Sequence, residues 1–167
     1  MGNPEVDSAP RITTTKNKQS IMLKKILNWL HPNKKPVFSF RQGFDLTEMP
    51  VITLYQGEKK FNFLLDTGSN NNILDKEALK EVEHSPTEYN SQVTGVEGNV
   101  RKDPVHEVTF TYEDKEFPFY YVISDLSGVF SAIKKASGVT LHGMLGSKFF
   151  NAYKYVLDFH KLIAYIK

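Results

Sequence analysis

Cysteine is absent from this 167-residue chain. That excludes disulfides, a thiol nucleophile and thiolate metal sites. Long apolar runs are also absent, since none reaches the roughly 18 residues of a membrane-spanning helix. The five histidines, His31, His84, His106, His142 and His160, are dispersed, and no two take the i, i+4 spacing of a helical zinc site. Charge of one sign is scarce: 21 Lys and Arg against 19 Asp and Glu leave a formal net charge of +2. Such a balance predicts no strong pull toward nucleic acid or an anionic membrane. No long apolar segment follows Met1, and Val6 stands where N-myristoylation needs Ser or Thr. A secretory signal is therefore not expected, and a cytoplasmic location is slightly favoured.

What remains suits one compact domain with an ample core. Hydrophobic residues make up 40% of the chain, with 12 Phe and 8 Tyr. Residues 1–20 are polar and read as a flexible leader. Within Ile21–Leu30, Met22, Leu23, Ile26, Trp29 and Leu30 share one helical face opposite Lys24, Lys25 and Asn28. This short amphipathic helix suits docking on the domain or a partner better than membrane contact, which stays an alternative. The division expected is a leader over 1–35 and a folded domain over 36–167.

From Pro36 the pattern turns to period two. Strands are expected around Val37–Phe40, Val51–Tyr55 and Lys60–Leu65, with Gln56–Lys59 as a hairpin turn. Asp75 is placed to cap a short helix over 76–83, and Pro86 ends that segment. Further strands are expected over Tyr89–Val93, Val108–Tyr112, Phe117–Ile123, 154–159 and 161–167, with Pro118 at an edge or bulge. Residues 125–140 read as loop with a short helix at most, and 147–153 as a helix. The fold class is all-β: many short strands and close turns make a small closed β barrel with one or two short helices.

One motif carries chemistry. Asp66-Thr67-Gly68-Ser69 follows the apolar strand end Phe63-Leu64-Leu65. An aspartate there starts partly buried, where its ionisation is tunable. Thr67 offers a hydroxyl, and Gly68 allows a tight turn with amides near the carboxylate. The same tripeptide is also an ordinary β-turn, and alone it does not decide between the two.

Leu64-Leu65-Asp66-Thr67-Gly68-Ser69 followed by Ile73-Leu74 resembles the active-site loop of retropepsin-like and pepsin-like aspartic proteases. His142-Gly143-Met144-Leu145-Gly146, ahead of a short helix, is similar to the second apolar-apolar-Gly element of that family. The closing strands also resemble those of its bacterial members, so the likeness spans roughly residues 48–167. It implies an acid-protease barrel, with Asp66 as catalytic carboxylate and Thr67, Gly68 and Ser69 supporting the loop. Met144, Leu145 and Gly146 would support that loop from beneath. It further implies a peptide or protein substrate and no metal or cofactor.

Only one Asp-Thr/Ser-Gly is present. Asp125-Leu126-Ser127-Gly128 has one residue too many, and Asp158 lacks a following Thr-Gly or Ser-Gly. The resemblance therefore implies a homodimer in which two copies of Asp66 meet across a twofold axis. It also implies a mobile hairpin over the substrate. Gly95, Val96 and Gly98 are the candidate tip, although a plain hairpin turn would have the same composition. A monomeric, non-catalytic peptide-binding domain of the same fold is the competing expectation.

Overall fold

The computed structural model describes residues 36–94 and 100–166. The leader, the amphipathic segment Ile21–Leu30 and the expected tip at Gly95, Val96 and Gly98 lie outside the described residues.

Strands β2 (Val51–Gln56) and β3 (Lys59–Leu65) form a hairpin, paired from Val51↔Leu64 to Gln56↔Lys59. Gly57 turns it at φ +60°, a conformation that glycine adopts without a Cβ penalty. Alternation sets the faces: Phe61, Phe63 and Leu65 are buried, while Asn62 and Leu64 between them are not. Strands β4 (Ile73–Asp75), β6 (Val100–Tyr112), β7 (Lys115–Ser124) and β8 (Gly143–Leu145) complete the ring. Its order is β2-β3-β8-β4-β7-β6, and Tyr55↔Thr111 returns β6 to β2. The result is the closed barrel expected, with six strands. Strand β5 (Ser85–Thr94) lies outside the ring, paired to β6 alone.

Aromatic rings fill the interior. Phe63 and Phe110 meet at 5.0 Å between centroids, and Phe61 and Phe110 at 5.4 Å. Outside the barrel, β1 (Phe38–Ser39), β10 (Ile163–Ile166) and β9 (Tyr155–Asp158) form a second antiparallel sheet in that order. Phe38 and Tyr155 pack at 4.6 Å and link this sheet to the core around Phe117 and Phe149.

Helices are more numerous than expected. Helix α1 (Arg41–Thr47) has no forewarning in its sequence, RQGFDLT, which offers neither an N-cap residue nor a buried side chain. Packing places it: Gly43 sits so close to Val51 that an added Cβ would lie 2.4 Å from the Val51 carbonyl oxygen. Helix α2 (Lys76–Leu79) is shorter than the expected 76–83, and Asp75 caps it by accepting from the Glu77 N–H at 3.2 Å. Helix α3 (Ser127–Ser137) is 11 residues long, where a loop with at most a short helix was expected. Its burial of Phe130 beside Val51 and Leu141 outweighs the serines and glycine that disguise it. Helix α4 (Ser147–Tyr153) lies where expected. Pro86 does not end a segment but lies within β5, where the free outer edge spares the missing N–H. Pro118 pairs with Thr109 on a stretch of β7 that β4 does not reach, since β4 joins β7 only from Ile73↔Val122 to Asp75↔Ser124.

Candidate active site

Asp66 emerges from the barrel at the end of β3, partly exposed, in a turn that backbone hydrogen bonds close. Its N–H donates to the Leu145 carbonyl at 3.0 Å, and the Ser69 N–H donates to the Asp66 carbonyl at 3.2 Å. The Gly68 N–H donates to Asp66 Oδ1 at 2.9 Å. One carboxylate oxygen is thus fixed by the turn, and Thr67 and Gly68 sit exposed beside it.

The second element is brought to the same place. Strand β8 runs parallel to β3, with Leu64↔Met144 and Leu65↔Leu145, and antiparallel to β4, with Ile73↔Met144. Leu145 is buried, whereas Met144 is only partly so and packs with Leu64 against the Val51–Phe130–Leu141 cluster. Beyond it, the Ser147 N–H donates to the Ser69 carbonyl at 2.8 Å. Gly146 passes directly beneath the loop. A Cβ there would lie 2.3 Å from the Asn71 carbonyl oxygen and 2.7 Å from that of Ser69.

This chain matches the family described as Aspartyl protease over residues 52–149, more than half its length. It belongs to the aspartyl protease family. The matched range runs from β2 into α4 and contains both the Asp66 turn and the Met144-Leu145-Gly146 strand. No curated protein matches the chain.

Two further residues hold the aspartyl protease loop, and neither stood out in the sequence. Asn72, 1% exposed, accepts from the Gly146 N–H through Oδ1 at 2.9 Å, while its carbonyl accepts from the Val122 N–H at 2.9 Å. It ties the loop to β7 and to the strand beneath. Asn71 accepts from Lys148 Nζ at 2.8 Å and donates to Ser91 Oγ at 3.3 Å, and its carbonyl accepts from Ser69 Oγ at 2.8 Å. It connects the turn to α4 and to β5. The only available signal was the amide run Asn70-Asn71-Asn72 set directly against Ile73-Leu74, because a buried amide needs partners.

His142 locks β8 to β3 from the other end. Its Nδ1 accepts from the Asn62 N–H at 2.9 Å, its N–H donates to the Asn62 carbonyl at 2.8 Å, and its carbonyl accepts from the Asp75 N–H at 2.8 Å. An accepting Nδ1 requires the neutral ring. Burial pushes His142 below the ordinary imidazole value of 6.5, chiefly by penalising the charged form. With the folded value depressed, the unfolded chain binds the proton more readily. This contribution is therefore complete above about pH 6.5 and is lost as pH falls toward the folded value. Thermal unfolding across this range should show a smaller acid-side loss in His142→Gln than in the wild type. Equal slopes in the two proteins would contradict this account.

Proposed function

We propose that the chain is an aspartic endopeptidase whose active site is completed by a second copy of itself, Asp66 facing Asp66 across a twofold axis. The observation that carries this reading is the single Asp66 turn held from beneath by β8: one oriented carboxylate, where water activation needs both an acid and a base. Two adjacent carboxyls share one proton, because ionising both at close range is costly. The ionised one takes a proton from a water that attacks the peptide carbonyl. The protonated one donates to the forming oxyanion, and the proton then reaches the leaving amine. Thr67 would stand beside the axis, where its hydroxyl would bond across it. Residues 36–167 form the catalytic lobe in this reading, and residues 1–35 a leader.

The substrate would lie extended, as an added strand with pockets for alternate side chains. The β5–β6 arm is the natural cover, since Asn71 ties its Ser91 to the active-site loop. Gly95, Val96 and Gly98, between the two strands, would form its tip. One feature favours the competing monomeric peptide-binding domain: β10 already has β1 on one side and β9 on the other, so a partner cannot pair with it directly. A partner strand must join at β1 or β9 instead.

Mixing decides between the two. Adding Asp66→Asn chains to the wild type should lower cleavage more steeply than simple dilution, because each mixed dimer loses one carboxylate. Sedimentation should show a dimer at the same concentrations. A strict monomer, or a loss that only follows dilution, would overturn the shared site.

A further inference from the structure

Two imidazoles converge where the start of β5 meets β6. His84 lies just before β5, and His106 lies in β6 across from Pro86. Their Nδ1 atoms are 2.9 Å apart, with ring centroids at 4.7 Å. The backbone on both sides is fixed. The Gln56 side chain accepts from the Glu83 N–H at 2.6 Å and donates to the Glu83 carbonyl at 2.9 Å and to the Thr109 carbonyl at 3.2 Å. His106 is held between β5 and β7 by Pro86↔His106 and His106↔Tyr121. Beside the pair opens a cavity of about 560 Å³ whose lining includes His84 with Glu83, Glu107 and Glu116, and neither Lys nor Arg.

Nitrogens this close, on ordered backbone, can share a proton or grip one metal ion. We propose that His84 and His106 form a two-nitrogen chelate for a divalent transition-metal ion of the zinc or copper class. Imidazole nitrogen suits those metals. At zinc–nitrogen distances of about 2.0–2.1 Å and tetrahedral angles, the two atoms would stand roughly 3.3 Å apart, so the rings need part by only about 0.4 Å. Binding moves the shared Nδ1 proton to Nε2 of its own ring, so both rings stay neutral and no net proton is released.

Among the described residues, no group of three or more His, Asp or Glu converges as a ligand set. Water therefore fills the remaining positions, and the three glutamates act through their negative field on the ion rather than by coordination. Such a site is open and exchangeable. It staples the start of β5 to β6, where Pro86 pairs with His106. The proposal stands independently of the proteolytic reading.

Calorimetric titration of the full chain with zinc chloride at neutral pH tests it. The expected result is one ion per chain, with affinity lowered at least about tenfold in His84→Ala and in His106→Ala. His160→Ala should bind as the wild type does. His84→Gln gives a second, milder variant, and thermal unfolding without zinc reports whether each variant is folded. The Nδ1 resonances of both rings should shift together on titration. The proposal is overturned by no binding, by equal binding in the two histidine variants and the wild type, or by loss of binding in Glu83→Gln and Glu107→Gln alone.

Discussion

Replacing Asp66 by Asn is expected to lower kcat/KM for peptide cleavage by roughly 10²–10⁴, the range that positioned acid–base groups supply. The change is nearly isosteric. The substituted amide keeps an oxygen that can accept from the Gly68 N–H, as Asp66 Oδ1 does now at 2.9 Å. The backbone bonds to Leu145 and Ser69 do not involve the side chain at all. Stability should therefore change by no more than about 0.5 kcal/mol, as for a partly exposed site outside the core. What disappears is the carboxylate itself. Cleavage of a broad peptide library, from mildly acidic to neutral pH, measures the effect, and the melting temperature shows that the fold is intact. Residual cleavage equal to the wild type would sink the assignment of Asp66 as the catalytic group.

Gly146→Ala should be the most damaging small substitution in the barrel. The added methyl would lie 2.3 Å from the Asn71 carbonyl oxygen, and 2.7 Å from both the Asn71 carbonyl carbon and the Ser69 carbonyl oxygen. All three are backbone atoms, so no side-chain rotation relieves the clash. Overpacking of this kind costs about 1–3 kcal/mol, and more where the neighbours are fixed. The loop can yield only by moving Ser69 and Asn71, which breaks the 2.8 Å bond from Ser147 and displaces the turn that aims Asp66. Activity and stability should therefore fall together. Gly128→Ala is the matched control: nothing lies within 4 Å of its added Cβ, and alanine is the better helix former by up to about 1 kcal/mol. Chemical denaturation of the two variants separates these outcomes. A Gly146→Ala protein that unfolds with the wild type would mean that β8 does not run beneath the loop.

The barrel was legible because its strands announce themselves locally. Phe61, Phe63 and Leu65 alternate with polar or half-exposed residues, and Gly57 marks the turn between β2 and β3. Asp66 was legible for the same reason, as a turn tripeptide at the end of an apolar strand. Helices α1 and α3 were not. Tertiary contacts fix their extent: Gly43 against Val51, and Phe130 within the cluster beside Leu141. Asn72 was missed because its role exists only across 74 residues of sequence, where Gly146 comes to it. A periodicity argument looks a few residues ahead, and no local pattern encodes a partner that distant.

That separation also orders events in time. A chain made from its N-terminus exposes β3 and the Asp66 turn well before Met144, Leu145 and Gly146 have been added. At synthesis rates of about 5–20 residues per second, the 74-residue gap between Asn72 and Gly146 takes roughly 4–15 s to fill. Throughout that interval the Asp66 N–H and the Asn72 amide lack the partners that β8 brings, and the carboxylate has no scaffold to aim it. The loop around Asp66 can be completed only once β8 has emerged from the ribosome. Topology itself supplies that delay.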